Sequence, residues 1–265
     1  MQHEFHLIKK VIGNLKLFVQ LIGGFIKILV DADTIAYGAA ISSEDLEKVE
    51  CLDKLNSYVV QLLDELPTSN DIRFYITGAE NFRKTLYPWY KANRADTPRP
   101  IHLTAAKRFL ETEYKATWSK NQEADDDIGI EVFREPDVPC IIVHVDKDLN
   151  QFPGQHYNFR TKNIYDVSEV EANQWFLHQM VLGDKADNVK GFDTLIRPAY
   201  PKKFKHIEET INSEPDFYEG LRYVWDLYNH YGQEAAFDDN ADCLWLLRAE
   251  GQTWKNLQLP WQEAE

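Results

Sequence analysis

The stretch KILVDADTIAYGAA, Lys27 to Ala40, decides how the chain is read. Lys27 to Val30 has the length and character of a buried strand, and at Asp31 the chain turns into a helical pattern. Two further stretches repeat the form: DIRFYITG, Asp71 to Gly78, and CIIVHVDKDLNQF, Cys140 to Phe152. Helical patterns such as LDKLNSYVVQLLDEL, Leu52 to Leu66, lie between them. Strands alternating with helices predict an α/β fold with a mostly parallel central sheet covered on both faces. Ligands in that architecture bind at the carboxyl ends of the strands, where Asp31, Gly78 and Asp146 stand.

Composition narrows the function classes. With 265 residues the chain can bury a substantial core, and its apolar and charged content is that of a soluble globular protein. A net charge of −14 argues against nucleic acid in general, since phosphate binding needs a basic footprint. The average hides a local reversal, because between Arg83 and Lys120 nine Lys or Arg face three acids. The three cysteines, Cys51, Cys140 and Cys243, are far apart and lack metal-ligand spacing, which predicts buried thiols and a reducing, cytoplasmic setting. The apolar N-terminus is too short to span a bilayer and carries no small-x-small cleavage site. Its Leu7, Val11, Leu15, Phe18 and Ile22 recur at helical spacing, so residues 1–27 are expected to form an amphipathic extension docked on the core. No membrane partner is expected.

Four separate segments supply carboxylates: Asp31; Glu123, Asp125 and Asp126 in EADDD; Asp146 and Asp148; and Asp184 and Asp187 in GDKADN. Asp146 and Asp148, read as continuing their strand, would point the same way and repel each other. Residues 123 and 126 fall one helical turn apart, and 184 and 187 have the same spacing. Asp33 and Asp127 are read as extras outside the ligand set. Eight carboxylates on one rim require cations, and an all-oxygen set favours hard Mg²⁺ or Mn²⁺ over zinc. Two such ions roughly 3.5–4 Å apart can activate water and stabilise the leaving oxygen of a phosphodiester. A basic segment beside such a rim predicts a nuclease.

The ordered set LVDAD, FRKTLYPWYKANR, EADDD, VDKDLNQF and GDKADN resembles the signature of the 5′ nuclease family. That family comprises flap endonucleases, the 5′ nuclease domain of bacterial DNA polymerase I and short phage-encoded 5′ to 3′ exonucleases, which the chain resembles most in size and layout. The resemblance covers roughly Ile28 to Phe192. It implies a PIN-like catalytic core over 28–180 with a helical arch at about 83–120, and a helical DNA-binding region over 181–265. It makes Asp31, Glu123, Asp125, Asp126, Asp146, Asp148, Asp184 and Asp187 the metal-holding acids, with Lys91, Arg94, Asp146 and Asp148 as the catalytic group. Arg83, Tyr90, Lys91 and Arg94 match the phosphate-gripping residues, and Lys190, Lys202, Lys203 and Lys205 would hold duplex phosphates. The implied substrates are DNA with 5′ ends or flaps; RNA:DNA hybrids and replication proteins are further partners the resemblance admits. A phage-encoded enzyme of this kind works in the host cytoplasm.

Two departures stand out. Many relatives carry an aspartate where this chain has Gly78, which predicts a weaker metal site unless Glu80 reaches the ion. The glycine-rich turn of the family's duplex-binding helix-three-turn-helix is degenerate in VKGFDTLIRPAYPKKFKH, Val189 to His206. Two rival readings remain: a nuclease fold that binds branched DNA without cutting, and a phosphatase of the haloacid dehalogenase type. The second needs Thr or Val where Ile35 stands and gives no role to EADDD or the basic segment.

Overall fold

The computed structural model describes residues 26–192, 201–257 and 259. Its sheet contains β1 (Lys27–Asp31), β2 (Asp71–Ile76), β3 (Thr117–Trp118), β4 (Cys140–His144), β5 (Gly154–Asn158) and β6 (Asn163–Val167), in the spatial order β3-β2-β1-β4-β5-β6. β1 lies at the centre, parallel to β2 with Val30 opposite Phe74 and parallel to β4 with Val30 opposite Val143. β3 runs parallel to β2, and β5 parallel to β4. The three expected strands are therefore the middle of the sheet. β3, β5 and β6 were missed because they are short or only half-buried, and carry no continuous apolar run.

The chain divides into two compact units. The first comprises 26–79, 98–149 and 154–166. Its helices are Ala32–Ile41, Lys48–Glu65, Leu103–Tyr114 and Ala124–Arg134. Ile28, Val30, Leu55, Val59, Phe74, Ile76, Leu110, Ile141 and Val143 form its core. The starts of its strands are tied by charge: buried Lys27 donates to Glu131 O at 2.9 Å and pairs with Glu135, while Arg73 bridges Asp71 and Glu131. The acids Asp31 and Asp146 stand at the opposite ends of β1 and β4.

The second unit comprises 80–97, 150–153 and 167 onward. The proximal half of the expected arch, through Thr97, thus groups with the C-terminal helices, as does helix Glu169–Leu182, which the sequence reading placed in the core. Helices Glu169–Leu182, Phe217–His230 and Glu234–Leu244 pack on one another around Phe176, Tyr228, Phe237 and Trp245. Of the residues at helical spacing Phe217, Leu221, Val224, Tyr228 and Tyr231, the middle three are buried and the outer two half-buried, and Tyr228 donates to Met180 O at 2.5 Å. Within the region expected to be helical from residue 181 onward, β7 (Gly183–Asp184) pairs antiparallel with β8 (Val189–Lys190). Two-residue strands leave no periodicity; the hairpin is shaped instead by positive φ at Gly183 and Asn188. The expected extension through residue 25 and the turn at 193–200 fall outside the described residues.

Candidate active site

In the first unit Asp31 ends β1 and caps helix Ala32–Ile41. Its Oδ1 accepts from the Asp33 N–H at 3.0 Å and its Oδ2 from the Thr34 hydroxyl at 2.7 Å. The side chain is nearly buried, and burial first, then the charges of Asp33 and Asp146, push its carboxyl up to about 7. Asp33 has a different task. Its Oδ2 accepts from the Thr77 N–H at 2.9 Å and its Oδ1 lies 2.5 Å from Lys107 Nζ, which also donates to Thr77 O at 3.1 Å. The Thr77 hydroxyl accepts in turn from the Ala124 N–H at 3.0 Å. Asp33, Thr77 and Lys107 therefore tie the ends of β1 and β2 to helices Leu103–Tyr114 and Ala124–Arg134, a role the sequence reading missed.

Glu123 and Asp126 form a reciprocal capping box at the start of helix Ala124–Arg134, with the Glu123 N–H donating to Asp126 Oδ2 at 3.0 Å. Both are buried, and Asp125 between them is half-buried. Asp146 and Asp148 do not continue a strand as expected. β4 stops at His144, and Asp146 Oδ1 accepts the Asp148 N–H at 3.0 Å, opening a 3₁₀ turn over Lys147–Gln151. The side-chain hydrogen bond wins over strand alternation. Two buried histidines, His144 and His156, lie beside this turn, and burial drives His144 down to about 4.

The donor set is all carboxylate, and Asp31 is held beside like charges without a cationic partner among the described residues. Such a set fits a hard divalent cation. Among the described residues no group of three or more histidine, cysteine, aspartate or glutamate side chains is placed so as to hold a metal ion.

Gly78 explains its own identity. A Cβ built there would stand 2.4 Å from the backbone oxygen of Ser119, whose N–H bonds Ile76 O at 2.8 Å. An aspartate side chain at this position would collide with backbone, so the expected gain from restoring a carboxylate at Gly78 is sterically closed.

In the second unit, residues 89–94 are zipped to 184–188. The Lys91 N–H donates to Asp187 O at 2.9 Å, Asn93 Nδ2 to Lys185 O at 2.9 Å, Arg94 Nε to Ala186 O at 2.8 Å and Asn188 Nδ2 to Trp89 O at 2.8 Å. The Asp187 carboxylate accepts from the Tyr90 hydroxyl at 2.8 Å and Arg94 NH2 at 2.9 Å, with Lys91 Nζ at 3.4 Å. Asp184 and Asp187 lie on a turn rather than a helical face, because Asp184 Oδ1 accepts the N–H groups of Ala186 and Asp187 at 2.6 and 3.1 Å. The structure thus brings Lys91, Arg94 and Tyr90 together with Asp187.

Arg83 requires correction. It is fully buried, and its guanidinium donates to Cys243 O at 3.0 Å and Trp245 O at 2.5 Å, so it anchors the C-terminal chain instead of reaching a phosphate. Tyr90 is nearly buried as well, with its hydroxyl committed to Asp187. Lys190 on β8 is exposed, as is Lys205, which pairs with Glu209 at 3.5 Å. Lys202 and Lys203 lie on helix Pro201–Ser213, but their side chains are outside the described residues.

Among known families, the one described as 5′-3′ exonuclease, N-terminal resolvase-like domain, matches residues 27–176. An exodeoxyribonuclease of Enterobacteria phage T3 is 30% identical over 126 residues, 43% of this chain and 40% of that protein. An exonuclease of Escherichia phage T7 is 27% identical over 192 residues, 62% of each. The chain therefore spans less than two thirds of the length of these relatives. Among solved structures, the bacteriophage T5 flap endonuclease in a pseudo-enzyme-product complex with DNA and metal ions superposes with a TM-score of 0.58 at 15% identity, over 84% of this chain and 89% of that one. The T5 5′-exonuclease with bound zinc gives 0.51 at 14% identity, over 83% and 99%. At that identity the likeness is one of fold, the PIN-like 5′ nuclease fold.

Proposed function

We propose, from the premise that the chain belongs to the 5′-3′ exonuclease N-terminal domain family, that it hydrolyses DNA phosphodiester bonds at or near 5′ ends in a divalent-metal-dependent reaction. The observation that carries this reading is the nearly buried Asp31 carboxylate, whose charge is opposed by Asp33 and Asp146 at the carboxyl ends of β1 and β4. A site built this way favours a cation and has little use for a neutral ligand. Asp31, Glu123, Asp125, Asp126, Asp146 and Asp148 would hold Mg²⁺ or Mn²⁺ on the first unit, and Asp184 and Asp187 are the matching acids of the second. Two bound ions would supply the activated water and the stabilisation of the leaving oxygen.

The chain's own contribution is positioning and charge. Lys91 and Arg94 place two cations on one short turn, where they can exchange the Asp187 carboxylate for a substrate phosphate and oppose the charge that develops on it. The capping box holds the Glu123 and Asp126 side chains in fixed rotamers, and the tie through Asp33, Thr77 and Lys107 fixes the strand ends that carry the acids. Lys190 and Lys205, both exposed, would add sequence-independent phosphate contacts. DNA with 5′ ends or flaps is the proposed substrate class, and RNA strands paired to DNA fit the same chemistry.

The test is product analysis on 5′-labelled duplex, flap and RNA:DNA substrates with Mg²⁺, Mn²⁺ or EDTA. Short 5′ products that require the metal support the proposal. Retention of the labelled DNA in a complex with no cutting in either metal would instead support a binding protein.

A further inference from the structure

β4 ends in a histidine, and β5 carries a second one in its interior. In the parallel pairing of these strands Ile142 lies opposite His156, and His144 is two residues beyond Ile142, so both rings project from the same face of the sheet. They meet there: His144 Nε2 is 2.8 Å from His156 Nδ1, and both side chains are buried. Tyr165, on the neighbouring strand β6, stacks on His156 with ring centroids 5.3 Å apart and planes at 19°, and its hydroxyl lies 3.4 Å from His144 Nε2. On its other side, His144 Nδ1 bonds the backbone oxygen of Asp146.

The direction of this chain follows from what each atom can do. A carbonyl oxygen only accepts, so His144 Nδ1 carries the proton and donates to Asp146. A neutral ring with Nδ1 protonated has Nε2 as an acceptor, so His156 Nδ1 must be the donor between the rings. The tautomers are therefore set in series, from His156 through His144 to Asp146. Asp146 is held from both ends, its carbonyl by His144 and its carboxylate by the Asp148 N–H.

We propose that His144 and His156, steadied by Tyr165, are positioning residues that orient the Asp146 carboxylate for the divalent cation. The proposal rests on the reading of Asp146 as a metal-holding acid. The histidines would act through the peptide that presents the acid, not as ligands themselves. Groups that orient a metal ligand in this way commonly change affinity by about 10- to 100-fold when removed.

The experiment is Mn²⁺ titration calorimetry on the full chain without DNA, with circular dichroism and thermal denaturation to verify folding. His144→Phe keeps a ring but removes the donor to Asp146, and Mn²⁺ affinity should fall about 10-fold or more. His144→Asn places an amide N–H near the former Nδ1 and should recover most of that loss. His156→Leu leaves His144 in place but frees its tautomer, and should weaken Mn²⁺ by several-fold; it carries the test alone if His144→Phe does not fold. Asp146→Asn separates the two readings. Loss of Mn²⁺ affinity in Asp146→Asn with wild-type affinity in folded His144→Phe or His156→Leu overturns the positioning role and leaves the metal site intact. Wild-type affinity in Asp146→Asn overturns the metal reading itself.

Discussion

Asp31 in the first unit accepts hydrogen bonds from Thr34 and the Asp33 backbone, while the charges bearing on it, Asp33 and Asp146, share its sign. Asp187 in the second unit accepts from Tyr90 and lies within ion-pair distance of both Lys91 and Arg94. The side chain is the same and the electrostatic state is opposite. Ionising Asp31 costs free energy that a cation would return, whereas the Asp187 charge is already offset by the protein. The protein's own charges therefore leave a cation more to gain at Asp31 than at Asp187.

The largest expected effect is on catalysis. Asp146→Asn removes one of the proposed metal-holding charges beside Asp31, and single-turnover cleavage of 5′-labelled duplex should slow by ~10³-fold, the equivalent of ~4 kcal/mol of transition-state stabilisation. Cleavage at the wild-type rate would show that the first group is not the metal centre.

Stability is the next largest effect. Arg83→Ala in the second unit leaves the buried carbonyls of Cys243 and Trp245 without donors. At ~1–3 kcal/mol for each unsatisfied group, urea denaturation should show a loss of about 3 kcal/mol. Weakened DNA binding with unchanged stability would return Arg83 to the phosphate-gripping set.

The smallest effect sharpens the first group. Gly78→Ala must move Ser119 or its own backbone by several tenths of an ångström, an overpacking that should cost ~1–3 kcal/mol and lower the melting temperature. A well-folded Gly78→Asp variant of wild-type stability that needs less Mg²⁺ would instead show a vacant ligand position there.

The parts legible in the sequence were those with strong local signals. β1, β2 and β4 are apolar runs stopped by turn residues, and the acids at their ends could be counted without coordinates. The outer strands were not legible: β5, Gly154–Asn158, reads GQHYN, and its His156 and Tyr157 are buried by neighbours that only the fold supplies. Arg83 was misjudged because its partners lie 160 and 162 residues away, and a basic motif looks the same whether it faces solvent or buried carbonyls. Asp33 next to Asp31 carries no mark that one acid is a tie to Thr77 and Lys107 and the other stands uncompensated. His144 was equally silent, since one histidine closing an apolar run implies neither a second ring nor a direction of proton donation.

The most direct test of the central contrast needs no substrate and no metal. The Asp31 carboxyl titrates at 3.8 in an unfolded chain and at about 7 in the folded one. Between those values the folded state binds more protons, so stability falls as pH rises across that range and stays reduced above it. Each unit of that displacement is worth ~1.4 kcal/mol. Asp31→Asn removes the penalty, and in EDTA at pH 8 it should denature at higher urea than the wild type, an advantage that vanishes near pH 4. Asp187→Asn strips the charge that Tyr90, Lys91 and Arg94 share, and at pH 8 it should denature at lower urea. Opposite shifts for these two variants are the predicted result; shifts of the same sign at pH 8 would contradict the account.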